Sequence, residues 1–121
     1  MSAFKVMICD DSIFVRKKMK DALAAAEITE IIEAADGQQA VDKYKEEKPN
    51  LVFMDIIMPV KGGVEALTEI KAFDSSAKVV MASSVGTQEN LKDAILAGAY
   101  DFLQKPIDNN DVAKIVAKAL K

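Results

Sequence analysis

The stretch LVFMDIIMP, residues 51–59, decides which fold class the sequence favours. Four apolar residues lead into one acid, Asp55, and two β-branched residues precede Met58-Pro59. A short apolar run bounded by a turn signal is typical of a buried parallel strand, and Pro59 supplies the boundary because it cannot donate to a ladder. Asp55 would then lie at the carboxyl end of a central strand, the edge where open α/β sheets bind ligands. Its carboxylate is a candidate ligand, base or nucleophile, or else a simple loop acid.

The composition narrows the class of protein. The chain has 121 residues, 50% of them hydrophobic and 29% charged, as expected for one soluble domain. The net charge of −3 gives no electrostatic case for binding nucleic acid. The apolar runs are too short to span a bilayer, and no signal peptide precedes them, so we expect a cytoplasmic protein without membrane insertion. The single cysteine, Cys9, lies in an apolar run and is expected to be buried.

The sequence contains no histidine. Catalysis by Ser-His or Cys-His pairs and metal binding by His are therefore excluded within this chain.

Further runs of strand length alternate with segments of helical periodicity. The other predicted strands cover residues 4–9, 30–34, 78–82 and 101–104, and the acids that flank the second one favour an edge position. Five strands that alternate with five helices predict an α/β fold, with one parallel sheet, right-handed crossovers and helices on both faces. We expect a single domain over residues 1–121.

Capping residues and apolar spacing place the helices. Ser12 and the Asp36-Gly37 turn precede the first two helices, and a flexible link is predicted at 85–87. The fourth helix is expected to end at Gly98 and to have an apolar face of Leu91, Ala94 and Ile95. The last should begin at a cap on Asn109 or Asn110, with an apolar face of Val112, Ile115, Val116, Ala119 and Leu120.

Polar side chains follow four of the predicted strands. Asp10 and Asp11 follow the first strand, Asp55 ends the third, Ser83 follows the fourth and Lys105 the fifth. Because the carboxyl ends of parallel strands share one edge, these groups can converge there. Taken singly, each has an ordinary explanation as a helix cap, a turn acid or a loop residue. Four strand ends that carry such groups together predict a functional site.

The chemistry of these groups favours a magnesium-dependent phosphoryl site. Three close carboxylates raise one another's pKa unless a cation joins them, and oxygen-only ligands favour Mg²⁺ ahead of Mn²⁺ or Ca²⁺. Mg²⁺ readily shares its coordination shell with a phosphoryl oxygen. Lys105 would supply a positive charge and Ser83 a hydrogen bond to that group. Asp55 is then the candidate nucleophile, forming an aspartyl phosphate.

The set Asp10-Asp11, Asp55 with Met58-Pro59, Ser83 and Lys105-Pro106 resembles the receiver domain of bacterial two-component response regulators. The resemblance covers the chain from Phe4 to the last helix. It implies a flavodoxin-like (CheY-like) fold with strand order 2-1-3-4-5, and phosphorylation of Asp55 by a phosphohistidine on a sensor histidine kinase. The missing histidine agrees, because the donor must then come from another protein.

The same resemblance implies a metal site. Asp11, Asp55 and the backbone carbonyl of Ile57 would ligate Mg²⁺, and Asp10 would reach it through water. Ile57 is apolar at the position two residues beyond the nucleophile, which should slow attack by water on the phosphorylated form.

The resemblance also implies a switch. Ser83 and Lys105 would engage the phosphoryl group, and Phe102 falls at the position of the family's switch aromatic. On phosphorylation Ser83 would move toward the phosphoryl oxygens and Phe102 would turn inward. This would alter the face made by helix four, strand five and helix five. Two stretches depart from the family pattern: Ser84 stands where Ala is common, and Lys61-Gly62-Gly63 where Met-Asp/Asn-Gly is frequent.

The sequence carries no predicted output domain after the receiver, so we expect a protein that acts by docking. It is similar to the stand-alone chemotaxis regulators of the CheY type found in Gram-positive and deep-branching bacteria. The implied partners are a CheA-like kinase, a flagellar motor switch protein and a phosphatase. We expect a monomer that is not an enzyme but a phosphoacceptor, assisting its own phosphorylation and slow dephosphorylation. A stand-alone phosphorelay receiver outside chemotaxis is the nearest alternative.

Two functions of other classes share parts of this chemistry or this fold. A haloacid-dehalogenase-like phosphohydrolase also forms an aspartyl phosphate with Mg²⁺, but it needs a carboxylate two residues beyond the nucleophile, where this sequence has Ile57. A flavodoxin-type flavin carrier needs a Ser/Thr/Gly-rich phosphate cradle after the first strand. Asp10-Asp11-Ser12 carries the wrong charge for that.

Overall fold

The computed structural model describes residues 4–84 and 89–120, in which five strands alternate with five helices. The strands are β1 (Lys5–Cys9), β2 (Glu30–Ala34), β3 (Leu51–Asp55), β4 (Val79–Ser83) and β5 (Asp101–Gln104). The helices are α1 (Ile13–Ala25), α2 (Gly37–Glu47), α3 (Gly63–Phe73), α4 (Glu89–Leu96) and α5 (Asn109–Leu120). Among the described helices, none is long and apolar enough to cross a membrane.

All strand pairs are parallel and the sheet order is β2-β1-β3-β4-β5. This confirms the predicted topology, including the edge position of β2. Cys9 lies opposite Met54, Asp55 opposite Ala82, and Ser83 opposite Gln104. The carboxyl ends of the four strands β1, β3, β4 and β5 therefore lie at one edge of the sheet.

The core has two layers because successive residues of a strand point to opposite faces. Val6 and Ile8 pack with α1 and α5 on one face, whereas Met7 and Cys9 pack with α2, α3 and α4 on the other. Every residue of β3 and β4 is buried, which explains why these strands read as uninterrupted apolar runs. Cys9 is buried as predicted, and burial raises the pKa of its thiol far above the ordinary value.

The predicted cap at Ser12 is confirmed, and Asp36, predicted as part of a turn, caps the second helix. The Ser12 hydroxyl accepts a hydrogen bond from the backbone N–H of Val15 at 3.3 Å, and the Asp36 carboxylate accepts one from Gln39 at 2.8 Å. Each bond satisfies a donor that the first turn of a helix leaves free.

The predicted cap of α5 is wrong by one or two residues. Asp108, and not Asn109 or Asn110, precedes the helix: its carbonyl accepts from Val112 at 3.1 Å and its carboxylate from Asn110 at 2.7 Å. Asp108, Asn109 and Asn110 are all residues that commonly cap helices, so the sequence does not show which of them caps α5. In the structure the cap is Asp108.

The predicted apolar faces are wrong at two positions. Ile95 is 61% exposed and Leu120 is 56% exposed, although Ala94 and Ala119 beside them are buried. Helix α4 has eight residues, and among them Ala94 alone is buried, so its apolar face is narrower than its sequence suggests. The predicted link at 85–87 lies outside the described residues.

Ion pairs join α1 to the edge strand β2. Arg16 Nε lies 2.9 Å from Glu33 Oε1, and Lys20 Nζ lies 3.1 Å from Glu33 Oε2. From α2, Lys43 Nζ donates to the backbone carbonyl of Glu33 at 2.5 Å. Three cationic side chains from two helices therefore converge on one residue of the edge strand.

Close backbone contact shapes the turn between β3 and α3. The N–H of Gly63 donates to the carbonyl of Ile56 at 2.8 Å, and a Cβ added to Gly63 would lie 2.0 Å from the carbonyl oxygen of Asp55. No side chain fits in that space. Gly63 therefore allows α3 to begin directly against the backbone of Asp55.

Replacing Gly63 with Ala should destabilise the fold by about 1–3 kcal/mol, because the loop must move away from Asp55 to accommodate the methyl group. The matched control is Gly62→Ala. There the nearest atom, the Ile56 carbonyl oxygen, is 3.7 Å away and the backbone φ of −70° suits alanine. Urea unfolding of both variants measures the difference. Equal stability of the two would contradict the close-contact argument.

Replacing Glu33 with Gln should destabilise the protein at pH 7 by about 1 kcal/mol, since solvent screens these partly exposed ion pairs. Burial raises the pKa of Glu33, but hydrogen bonds and charge from Lys20 and Arg16 outweigh it and hold the pKa below its usual 4.5. A depressed folded-state pKa stabilises the fold above the unfolded pKa, and this contribution disappears as the pH falls through the folded value.

The measurement is the free energy of unfolding of wild type and Glu33→Gln between pH 7 and pH 3. The difference should be largest at neutral pH and should narrow below 4.5. Glu30→Gln, at the other end of the same strand and exposed, serves as the control. A difference that stays constant with pH would show that the charge of Glu33 contributes nothing.

Candidate functional site

Three carboxylates meet at the carboxyl edge of the sheet. Asp10 follows β1 and is 3% exposed, Asp55 ends β3 and is 7% exposed, and Asp11 is exposed. One carboxylate oxygen from each lies within 4.8 Å of the others. The structure thus brings together the three acids that the sequence placed at one edge.

Lys105 lies between the two buried acids. Its Nζ is 2.8 Å from Asp10 Oδ2 and 3.2 Å from Asp55 Oδ2. The backbone N–H of Lys105 donates to the carbonyl of Ser83 at 2.7 Å, which fixes the end of β5 against the end of β4. The peptide bond that follows, Lys105-Pro106, is cis. The four strand ends therefore deliver two acids and one cation to the same cleft.

The carboxylate of Asp10 is also held from its other oxygen. The backbone N–H of Ser12 donates to Asp10 Oδ1 at 2.8 Å. The backbone N–H of Asp10 donates to the carbonyl of Ala34 at 3.0 Å, which extends the pairing of β1 with β2 past the last residue of the strand. The backbone N–H and both carboxylate oxygens of Asp10 are therefore held by groups of the protein itself.

The electrostatics of Asp55 favour an added cation. Burial raises its pKa and the charge of Asp10 raises it further, whereas the charge and hydrogen bond of Lys105 and the N–H of Ile57 lower it; the net pKa lies above its usual value. Burial lowers the pKa of Lys105, but the hydrogen bond to Asp10 and the charges of both acids outweigh it and raise that pKa. One lysine thus only partly compensates the clustered acids, and a divalent cation would compensate the rest.

The remaining predicted site residues lie around this cleft. Ser83 is buried at the end of β4, the strand adjacent to that of Asp55. The Ile57 side chain is exposed, while its backbone N–H is bonded to the Asp55 carboxylate. Phe102 is half-buried on β5 and packs against the core layer of α2, α3 and α4.

Exposed apolar side chains lie on both sides of the acidic cluster in the sequence. Ile13 and Phe14 begin α1, just after Asp11, and Phe14 is 82% exposed. Ile57 and Val60 belong to the loop after β3 and are also exposed. Val60 has a φ of 68°, which a β-branched residue rarely adopts. The sequence does not predict that these apolar side chains are exposed.

Sequence reasoning also missed Arg16. Its Nη1 donates to the backbone carbonyl of Asp10 at 2.5 Å while its Nε is paired with Glu33. Strand ends were the signal used to find the site, and Arg16 lies on a helix, one turn after the Ser12 cap. The contact could have been suspected only from knowing that β2 pairs with β1.

Comparisons with known proteins agree with this geometry. The family model for the response regulator receiver domain matches residues 6–117. The chemotaxis protein CheY of Bacillus subtilis is 44% identical over 118 residues, covering 98% of each chain. Protein CcdB of the same organism is 42% identical over 116 residues, covering 96% of this chain and 97% of its own.

A solved structure adds a ligand-bound relative. The crystal structure of the CheX-CheY-BeF3-Mg+2 complex from Borrelia burgdorferi contains a chain that is 36% identical, with a TM-score of 0.89. The match covers 98% of this chain and 90% of that one. Fold, acidic cluster and sequence similarity together show that the chain belongs to the response regulator receiver domains, which are phosphorylation-controlled signalling proteins.

Proposed function

We propose that this protein is a chemotaxis switch that accepts a phosphoryl group on Asp55 from a CheA-like sensor histidine kinase and then docks to the flagellar motor switch. The observation that carries the proposal is the placement of Asp55. Its carboxylate is buried at the sheet edge, close to those of Asp10 and Asp11 and 3.2 Å from the ammonium of Lys105. These groups would serve as the nucleophile, a metal-binding pair and a cation for the transferred group in one cleft.

The donor set fits Mg²⁺, since it consists of carboxylate and backbone oxygens. We assign Asp11, Asp55 and the Ile57 carbonyl as ligands and let Asp10, which Lys105 already holds, bind through water. Bound Mg²⁺ would neutralise the clustered acids and orient a phosphoryl oxygen. The Mg²⁺ in the Borrelia burgdorferi complex supports Mg²⁺ as the ion.

The transfer itself requires few protein groups. A carboxylate oxygen of Asp55 attacks the phosphorus of the phosphohistidine, the P–N bond breaks, and the imidazole leaves with the electron pair and takes up a proton from water. The ammonium of Lys105 stabilises the charge on a phosphoryl oxygen, and the Ser83 hydroxyl donates a hydrogen bond to another. The product is an acyl phosphate on Asp55.

Ile57 favours a switch over a hydrolase. Its exposed side chain lies two residues beyond Asp55 and carries no group that could activate water. The phosphorylated state should therefore be lost slowly. A magnesium-dependent phosphohydrolase would need a carboxylate or another base there.

The partners are inferred from two surfaces. A kinase or phosphatase that docks near Asp55 could bury Ile13, Phe14 and Val60, the exposed apolar residues that neighbour the acids in the sequence, and their burial would stabilise the complex. The motor switch would bind the face formed by α4, β5 and α5, where Ile95 and Leu96 are exposed on α4 and Phe102 is half-buried on β5. A phosphatase partner is supported by the CheX-CheY complex. A stand-alone phosphorelay receiver outside chemotaxis is the alternative, because it would use the same chemistry at Asp55.

Incubation with acetyl phosphate and Mg²⁺ should add one hydroxylamine-labile phosphoryl group, detectable by intact-protein mass spectrometry. Asp55→Asn should abolish the addition, and chelating Mg²⁺ should do the same to wild type. Asp21→Asn, which changes a largely exposed acid on α1, is the control and should be phosphorylated normally. Labelling that persists in Asp55→Asn would refute the assignment.

Phosphorylation should tighten binding to a peptide of the host's motor switch protein about 10-fold, a typical size for coupling between two sites. Lys105→Ala should still bind Mg²⁺ but should reduce this coupling to less than about twofold, because Lys105 connects the site to β5. Lys17→Ala, exposed on α1, is the charge-matched control.

Isothermal titration with and without beryllium fluoride, a phosphoryl mimic, measures the coupling. If Lys105→Ala docks like wild type, Lys105 is not the coupling residue. If wild type is phosphorylated but ignores the peptide, the chemotaxis assignment is wrong and the phosphorelay alternative is favoured.

A further inference from the structure

Arg16 is the side chain that ties the backbone of Asp10 to the edge strand. Its Nη1 is 2.5 Å from the Asp10 carbonyl oxygen, and its Nε is 2.9 Å from Glu33 Oε1. The side chain is 15% exposed, so solvent replaces these contacts poorly. Arg16 thus bonds to the main chain of a site residue without contacting the carboxylates where chemistry would occur.

The guanidinium is suited to this position because its donors have a fixed planar geometry. Nη1 donates to the carbonyl of Asp10, which follows β1, and Nε donates to the Glu33 carboxylate on β2. The planar guanidinium therefore fixes the angle between these two hydrogen bonds. Lys20 neutralises the second oxygen of Glu33, and Lys43 from α2 holds the Glu33 carbonyl. The anchor for Arg16 is therefore itself fixed from two helices.

We propose that Arg16 is a positioning residue: it sets the backbone of Asp10-Asp11, and through it the two carboxylates that this pair contributes to the cation site. The proposal rests on the proposed function, in that it takes the cluster with Asp55 to be a Mg²⁺ site. Hydrogen-bonded partners that orient metal-binding residues commonly change metal affinity 10- to 100-fold when they are removed.

The direction of the change in Mg²⁺ affinity distinguishes a positioning role of Arg16 from an effect of its charge. Arg16 carries a positive charge close to the acidic cluster, so removing that charge alone should strengthen the binding of a cation. Loss of positioning should weaken it. Arg16→Gln therefore gives opposite results under the two explanations, and Arg16→Lys keeps the charge but loses the planar fork.

The experiment titrates Mg²⁺ into wild type, Arg16→Gln and Arg16→Lys by isothermal titration calorimetry. We expect both variants to bind Mg²⁺ about 10-fold more weakly. Lys17→Gln is the matched control, since it removes an exposed cation from the same helix whose ion pair is with Asp21; its affinity should stay within about twofold of wild type. Wild-type affinity or tighter binding in either Arg16 variant would overturn the proposal.

A second measurement needs no metal. Amide hydrogen exchange in metal-free protein reports on the N–H of Asp10, bonded to Ala34, and of Ser12, bonded to the Asp10 carboxylate. Both should exchange faster in Arg16→Gln. The amide of Val52, bonded to the Lys78 carbonyl near the amino-terminal ends of the strands, should exchange at the wild-type rate. Equal acceleration at all three would mean general destabilisation and would overturn the proposal.

The two failures are distinguishable. If wild type itself does not bind Mg²⁺ and is not phosphorylated, the proposed function fails. If wild type binds Mg²⁺ and is phosphorylated but the Arg16 variants bind equally well, only the positioning role fails.

Discussion

Repulsion between two buried carboxylates, held in check by one lysine, is the constraint on which the site depends. Asp10 and Asp55 are both almost fully buried, and each has an oxygen within 3.2 Å of Lys105 Nζ. Burying charge is costly unless it is paired, and here two negative charges share one positive partner. Asp11, which is exposed, adds a third negative charge to the cluster. The site is therefore left with excess negative charge, which a divalent cation removes more completely than any rearrangement of side chains.

The fold supplies the rigidity needed to keep such a cluster together. β1 and β3 are adjacent and buried on both faces, so Asp10 and Asp55 cannot separate without breaking the centre of the sheet. Gly63 brings the start of α3 against the carbonyl of Asp55, and Arg16 links the carbonyl of Asp10 to β2. The acids face one another because packed backbone places them there, and the cost of their repulsion is offset by apolar burial elsewhere.

The sequence predicts the strands and helices, whose patterns lie in consecutive residues, but not the features that depend on tertiary contacts. The strands were predictable because burial on both faces turns them into uninterrupted apolar runs, and the sheet edge followed from their parallel order. The cap of α5 cannot be predicted from the sequence because Asp108, Asn109 and Asn110 are all capping residues, and only the folded structure shows that Asp108 accepts the bonds. Ile95 is exposed although the apolar spacing predicts it to be buried. The periodicity shows that a helix is amphipathic, but not how much of its apolar face packs against the core. Arg16 has no signal along the chain, since its partners lie on two other elements.

The same arrangement suggests how a phosphoryl group on Asp55 would be sensed at a distance. Lys105 Nζ is shared between Asp10 and Asp55, while its backbone N–H is bonded to Ser83 at the end of β4. A phosphoryl group bonded to the Asp55 carboxylate would offer Lys105 more negative charge than the free carboxylate does, and would offer the Ser83 hydroxyl an acceptor. Both residues would then be drawn toward Asp55 together, and β5, which carries Phe102 three residues before Lys105, is attached to that movement. Under the proposed function, phosphorylation would act on the α4–β5–α5 face through Lys105, which already contacts both buried acids, and this residue is therefore expected to control the coupling to a partner.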